Sequence, residues 1–286
     1  MITLCQKPGW LPGFFFAFFT LLMSAPLVSA TDADNNDVNL IIIIDDIGNN
    51  RKLGQRTLAL PGPLNLAFLP HTPFARSLAE QAHNRGHSIM LHSPMANKNN
   101  AKLGPGAMTL DMDEQQWRQT LLDNIHAVPF VQGVNNHMGS LLTESPEAMS
   151  VVMNTLQQQG LFFVDSLTTA RSVASQQAAA AGLPHLTRDI FLDHVVTQEA
   201  ISRQFDKAVK LAKNRGIAVV IGHPYPETLQ FLDEKLNHSG QHQIKLHSAH
   251  QYLYDRLWNA VPSPSSRYQL QPFKLPALQS ANDRSH

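Results

Sequence analysis

The chain has 286 residues, enough for one α/β domain with a large core or, less simply, two smaller domains. Its 22 basic and 22 acidic side chains cancel, and this balance argues against nucleic acid as a partner, because nucleic-acid-binding domains carry clustered positive charge. The single cysteine, Cys5, excludes a disulfide within the chain and a zinc site built from several thiolates.

The first thirty residues predict a secretory signal peptide rather than part of the fold. Lys7 is their only charged residue, an apolar run rich in Phe and Leu follows it, and Val28-Ser29-Ala30 offers small residues for cleavage. A retained membrane anchor is the alternative, since residues 10–28 are almost long enough to span a bilayer. We predict cleavage near Ala30, release into the periplasm, and no stable membrane span afterwards.

The first predicted strand ends in two adjacent carboxylates. Residues 40–44 are a continuous apolar run with four isoleucines, which is typical of a strand buried on both faces, and Asp45 and Asp46 follow it. Two like charges side by side need a cation, hydrogen bonds or a shifted pKa to relieve them, and each of these remedies is also a catalytic device. A helix cap or a salt-bridge partner is the structural alternative.

Apolar segments of strand length alternate with amphipathic segments of helix length along the remaining chain, which predicts βαβ units with parallel strands. One helix is marked at both ends, by Ser145 before Pro146 and by Gly160 after its last turn. Seven or eight such units favour a barrel, with an open sheet as the alternative. The strands are predicted at residues 40–45, 65–69, 88–91, 132–136, 161–164, 190–193, 217–221 and 243–246.

Two segments lack any period of their own. Residues 96–109 combine Gly, Pro, Lys and Asn, which predicts a long loop on a functional rim. Residues 261–286 are rich in Pro, Ser and Gln, which predicts a flexible tail. The barrel domain is therefore predicted to span residues 31–260.

Three histidines, His92, His137 and His223, stand at the ends of predicted strands. One such histidine alone is more often structural. However, the carboxyl ends of parallel barrel strands meet at one rim, where we expect all three to join Asp45 and Asp46. Imidazole and carboxylate suit zinc or a similar divalent ion, and a catalytic site uses three ligands and leaves a position for water. We predict Asp46, His92 and His137 as the ligands. Asp45 would act as the base and His223 as the acid.

Four further polar residues near the predicted strand ends are candidates for substrate binding or for supporting the site. Asp165 could orient His223 or the attacking water, and Arg188 could pair with a rim carboxylate and tune its pKa. Asp193 and Ser93 are the other two. Each could equally be structural. No serine lies in a Gly-x-Ser-x-Gly turn, so we do not expect covalent serine catalysis.

Five short strings in the chain occur in one order along residues 40–259. They are Ile43–Gly48, Leu91–Met95, Asn135–Ser140, Phe163–Ser166 and Ile221–Pro224. In these strings the sequence resembles the divergent polysaccharide deacetylases, a distant branch of the NodB-type carbohydrate esterases. The resemblance implies an irregular (β/α)7-8 barrel and metal-dependent hydrolysis of an N-acetyl or O-acetyl group. It also implies Asp45 as the general base, Asp46 as a metal ligand and His223 as the general acid.

The chain departs from that superfamily's usual metal motif. His92 followed by Ser93 matches the start of the motif, but Ala96 and Asn97 occupy the region of the usual second metal histidine. His137 is our replacement, chosen because it stands at a strand end. We expect an exported zinc-dependent hydrolase that acts on an acetylated envelope glycan. The alternatives are an inactive glycan-binding or envelope-organising protein on the same barrel, and an amide hydrolase with a non-glycan substrate.

Overall fold

The structure, a computed structural model, describes residues 37–237 and 244–260. The predicted signal peptide (residues 1–30) and tail (residues 261–286) lie outside these described residues, so both stay predictions. The described strands are β1 (Val38–Ile47), β2 (Asn65–Phe68), β3 (Ser88–Met95), β4 (Gly133–Met138), β5 (Phe162–Asp165), β6 (His185–Thr187), β7 (Ile190–Phe191), β8 (Ala218–Gly222) and β9 (Ile244–Leu246).

Helices connect most of these strands. A 3-10 turn over Leu142–Glu144 precedes the helix that Ser145 caps with its side chain, as the sequence predicts. The α-helices are α1 (Arg51–Leu58), α2 (Ala75–Asn84), α3 (Glu114–Ala127), α4 (Pro146–Gln158), α5 (Ala174–Ala180), α6 (Gln198–Arg215), α7 (Pro226–Asn237) and α8 (Ala249–Ala260). Within the described ranges, no helix is both long enough and apolar enough to cross a membrane.

The strands form one parallel sheet in the order β6-β5-β4-β3-β2-β1-β8-β7, with β9 also paired to β1. The architecture is an irregular (β/α) barrel. Its path of eight strands does not close, since β6 and β7 are not paired within the described residues, and the strands therefore form a half-barrel. All eight predicted strands are present. The prediction missed β6, whose three residues are only half-buried and include polar His185 and Thr187.

The four isoleucines of β1 explain how the barrel is filled. Ile42 and Ile44 pack in the layer between the sheet and the helices, whereas Ile41 and Ile43 belong to a second apolar cluster on the other face of the sheet. Successive strand side chains point to opposite faces, so this strand is buried on both. Full burial of one such side chain contributes roughly 1.5–3 kcal/mol. The second cluster fills the barrel interior.

The predicted loop over residues 96–109 contains no helix or named strand. It is tied to the sheet by a parallel bridge between Met95 and Met108, and Met108 is fully buried. This anchoring holds the loop at the carboxyl end of β3, beside the residues that follow β1 and β4.

Candidate metal centre

Side chains alternate between the two faces along each strand, and this alternation directs polar residues that are far apart in the sequence into the barrel interior. Asp45 has the same parity as Ile41 and Ile43 on β1, and His92 has the same parity as Met90 on β3. His92 is also directly paired in register with Asn135 on β4. Side chains of equal parity share a face, so these polar residues continue the interior apolar cluster at its carboxyl end.

Asp46 reaches the same place by a different route. Its parity would direct it toward the helices, but the pairing of β1 with β2 is irregular between Ile44 and Ile47, and Asp46 has a φ of 57°. Non-glycine residues rarely adopt this left-handed conformation, and such residues concentrate at functional sites. The bulge turns two sequence neighbours, Asp45 and Asp46, toward one cluster.

Three ligand atoms meet in this cluster. Asp46 Oδ1 lies 2.9 Å from His137 Nδ1 and 3.2 Å from His92 Nε2, and the two histidine nitrogens are 3.2 Å apart. The Asp46 oxygen is buried, yet no hydrogen bond of acceptable geometry reaches it from the described residues. The structure thus places Asp46, His92 and His137 around a common point.

The spacing of these atoms fits a divalent ion. Ligands at about 2.0–2.1 Å from a tetrahedral zinc ion lie roughly 3.3 Å from one another, close to the observed separations. The set of one carboxylate and two imidazoles also suits zinc and similar ions. Within the described part of the chain, Asp46, His92 and His137 form the group able to hold such an ion.

Asn135 fixes the orientation of His92. The Asn135 Oδ1 atom lies 2.8 Å from His92 Nδ1, while its Nδ2 donates to Asp45 Oδ1 at 2.8 Å and to Ser166 Oγ at 3.3 Å. With Nδ1 engaged in this bond, His92 directs Nε2 at Asp46. A ligating histidine commonly donates its other ring N–H in this way. Asn135 is not among the predicted site residues, although on β4 it has the same parity as the predicted ligand His137.

Asp45 is buried and stays apart from the three ligand atoms. Burial raises the pKa of its carboxyl, while the facing His92 and His223 partly offset this effect. Asp45 Oδ2 lies 3.7 Å from His92 Nε2, and Oδ1 is held by Asn135. Burial also opposes ionisation of Asp46, but its two neighbouring imidazoles hold the pKa of that carboxyl well below its ordinary value. The two carboxyls are therefore distinct in basicity.

His223 is held on the same rim by Asp193. Its backbone N–H and its Nδ1 bond to the two oxygens of Asp193, at 2.6 and 2.9 Å, and Thr228 Oγ1 donates to the same carboxylate at 2.9 Å. Burial disfavours a charged His223, but the hydrogen bond to Asp193 and the charge of Asp45 outweigh it and raise the pKa to about 9. His223 Nε2 then faces Asp46 Oδ2 at 4.0 Å.

Three of the predicted supporting residues lie elsewhere than expected. Asp165 does not orient His223; it accepts hydrogen bonds from Leu167 N–H and Ser172 Oγ, because it has the parity opposite to the interior residues of β5. Arg188 donates to the backbone carbonyls of Ser166 and Leu167 rather than to a rim carboxylate.

Ser93 is the third of these residues. It is fully buried, has the parity opposite to His92, and its Oγ has no hydrogen-bond partner among the described residues. Asp193, in contrast, lies directly beside His223 and has the orienting role predicted for Asp165.

A pocket of about 270 Å³ opens onto the cluster at Asp46 and His137. One of its walls is the loop over residues 96–109, which contributes Lys102 and Leu103. This pocket gives a small group access to the ligand atoms from the solvent side. The long loop therefore borders the candidate site.

Comparison of the sequence with known proteins identifies its family. A family model described as divergent polysaccharide deacetylase matches residues 42–253. The uncharacterized protein YibQ of Escherichia coli (strain K12) is 33% identical over 219 residues, which cover 76% of this chain and 66% of YibQ. An uncharacterized protein of Haemophilus influenzae is 36% identical over 197 residues, covering 69% of this chain and 70% of that relative. This chain thus spans just under two thirds of the length of YibQ.

A solved structure shares the fold. The crystal structure of the uncharacterized protein ATU2773 from Agrobacterium tumefaciens C58 superimposes with a TM-score of 0.73 at 21% sequence identity. The match covers 76% of this chain and 89% of that protein. At this identity the likeness concerns the fold alone.

Proposed function

This chain belongs to the divergent polysaccharide deacetylase family, and we propose that it is an exported, metal-dependent hydrolase that removes acetyl groups from a glycan of the cell envelope. The observation that carries the proposal is the meeting of Asp46, His92 and His137 at 2.9 to 3.2 Å, with a separate buried carboxylate, Asp45, beside them. An acid and a base at one three-ligand site are the parts that acyl hydrolysis requires.

Asp46, His92 and His137 would hold the divalent ion, for which we propose zinc. When bound, the ion supplies a Lewis acid that polarises the acetyl carbonyl and makes water more acidic. Asp45 accepts the proton of the attacking water at Oδ2, because Oδ1 is already occupied by the Asn135 amide. Burial raises the pKa of Asp45, which strengthens it as a proton acceptor.

His223 supplies the proton for the leaving group. Asp193 holds His223 Nδ1, so the proton on Nε2 is the one directed toward the cluster. The hydrogen bond to Asp193 and the charge of Asp45 raise the pKa of His223 to about 9, which favours the protonated ring that a proton donor requires. Transfer to the departing amine or alkoxide completes hydrolysis and leaves acetate and the deacetylated sugar.

The envelope location rests on the predicted signal peptide. If residues 1–30 direct export, the protein meets the glycans of the periplasm rather than cytoplasmic sugars. Cell fractionation followed by N-terminal sequencing tests this part. A periplasmic chain that begins just after Ala30 supports it, whereas a cytoplasmic chain with an intact N-terminus contradicts it.

Acetate release from N-acetylated and O-acetylated envelope glycans tests the activity. The zinc-loaded protein is compared with Asp45→Asn and His223→Gln, and with His126→Gln as a control, since His126 is exposed on α3. General acid and base groups contribute about 10²–10⁴-fold each, so both site variants should lose activity on that scale while the control keeps it.

Two results would overturn the proposal. Glycan binding with no acetate release by the zinc-loaded protein would favour the non-catalytic alternative. Hydrolysis confined to non-glycan amides would favour the other alternative, an amide hydrolase in which the same residues act on a non-glycan substrate.

A further inference from the structure

We infer that Asn135 is a positioning residue that fixes two things at once: the ring tautomer of His92 and the oxygen of Asp45 that is free to accept a proton. This inference deepens the proposed function and rests on it for its catalytic consequence. Asn135 is fully buried and joins β4 to both β1 and β3 through its amide.

The carboxylate decides which way the amide lies. In its proposed role as the base, Asp45 is ionised and only accepts hydrogen bonds, so its Oδ1 faces the NH2 group of Asn135 rather than the carbonyl oxygen, as the 2.8 Å bond from Asn135 Nδ2 shows. The Asn135 oxygen is therefore directed at His92 Nδ1, 2.8 Å away. An amide oxygen also only accepts, so His92 must carry a hydrogen on Nδ1.

The consequence for His92 concerns its other nitrogen. With the hydrogen on Nδ1 held by Asn135, Nε2 is the nitrogen that can give up its proton and offer a lone pair, and this atom lies 3.2 Å from Asp46 Oδ1 and 3.2 Å from His137 Nδ1. A metal ion requires this tautomer at that atom. The orientation of Asn135 thus prepares His92 as a ligand.

The same amide gives the two oxygens of Asp45 different surroundings. Oδ1 is held by Asn135, whereas Oδ2 faces His92 Nε2 at 3.7 Å, beyond hydrogen-bonding distance. Ser166 Oγ accepts a second, longer bond from Asn135 Nδ2 and keeps the amide from rotating. One side chain therefore links the base to a ligand of the candidate metal site.

The neighbouring Asn136 provides a matched control. It is equally buried on the same strand, but its amide bonds to Met138 O and Ser166 N and contacts neither His92 nor Asp45. Asn135→Ala and Asn136→Ala therefore remove the same atoms from adjacent core positions. Urea denaturation of both variants establishes that each is folded under the conditions of the measurements.

Two readouts test the inference. In the metal-free protein, at a pH high enough to keep the His92 ring neutral, the ¹⁵N chemical shifts of the ring should report hydrogen on Nδ1 in the wild type and in Asn136→Ala, and a mixture of tautomers in Asn135→Ala. In a titration with Zn²⁺ alone, Asn135→Ala should bind about 10- to 100-fold more weakly than the wild type, and Asn136→Ala should bind as the wild type does.

A third variant separates the two roles. Asn135→Asp keeps an oxygen that accepts the His92 Nδ1 hydrogen but replaces the amide donor with a second carboxyl beside Asp45, so zinc affinity should be retained while acetate release falls and its pH profile shifts to higher pH. Wild-type tautomer and zinc affinity in Asn135→Ala would overturn the inference, as would equal losses in the two alanine variants. The tautomer is read without metal or substrate, so it decides the role of Asn135 even if the protein proves not to be a deacetylase.

Discussion

His87 makes the stability of this fold depend on pH. It is buried at the base of β3, where its Nδ1 accepts a hydrogen bond from Leu64 N–H at 3.2 Å and its Nε2 contacts Leu58 O at 3.2 Å. One nitrogen must accept while the other donates, which only the neutral ring can do. Burial is the main cause that lowers the pKa of His87, and the nearby charge of Arg85 lowers it further.

The size of the effect follows from proton linkage. In the unfolded chain His87 takes up a proton as the pH falls below about 6.5, whereas the native His87 resists protonation. Its contribution to stability is therefore complete above pH 6.5 and is lost as the pH falls toward the lowered native pKa. If the native ring stayed neutral throughout, the free energy of unfolding would fall by about 1.4 kcal/mol between pH 7.5 and 5.5 from this residue alone.

Urea denaturation at these two pH values measures the loss, in chelator so that metal binding plays no part. His87→Asn can still accept the Leu64 hydrogen bond but cannot titrate, so it should lose up to about 1.4 kcal/mol less than the wild type. His126→Asn, at an exposed position, should lose as much as the wild type. An identical pH dependence in His87→Asn would show that His87 does not cause the loss, as would an NMR titration that places the native His87 midpoint above 6.5.

Two further predictions concern a hydrogen-bonded acid and a helix cap. Asp193→Asn should lower kcat by about 100-fold or more without reducing zinc content, because the proton donor His223 loses its orienting carboxylate. Thr228→Val removes only one bond to Asp193, so a loss as large as in Asp193→Asn would contradict this account. Ser145→Ala should cost about 1 kcal/mol in urea denaturation, because Ser145 Oγ caps α4 by accepting from Ala148 N–H; an unchanged midpoint would exclude the cap as a contributor.

Much of the fold could be predicted because short segments of the sequence carry the patterns of their own strands and helices. The continuous isoleucines of β1 indicate a strand buried on both faces, and the cap at Ser145 fixes where α4 begins. In contrast, β6 has three half-buried residues and gains its strand geometry only by pairing with β5. A pattern too short to show a period cannot predict such an element.

The same strand alternation could have sorted the candidate residues more finely. On β5, Phe162 and Val164 face the interior, so Ser166 continues their face and Asp165 lies on the other. The parity rule therefore identifies Asp165 and Ser93 as residues of the outer face. It also places Asn135 on the inner face beside His92, through the pairing of β3 with β4.

Two features of the site depend on contacts that no local pattern specifies. Asp46 joins the cluster because a bulge interrupts the pairing of β1 with β2 and gives Asp46 a φ of 57°. The partner of His223 depends on how the loop after β7 lies against β8, which selects Asp193. Both are tertiary outcomes, whereas the sequence indicates that His92 and His137 lie toward the carboxyl ends of β3 and β4, although both strands continue past them.

Metal content shows whether Asp46, His92 and His137 bind a divalent ion. The purified protein is stripped with chelator, reloaded with zinc, dialysed and analysed for zinc per chain, together with Asp46→Ala, His92→Ala, His137→Ala and the exposed control His126→Ala. We expect one zinc ion per chain in the wild type and the control, and loss of that ion in each of the three cluster variants. A wild type that retains no divalent ion, or cluster variants that retain zinc as fully as the wild type, would contradict this expectation.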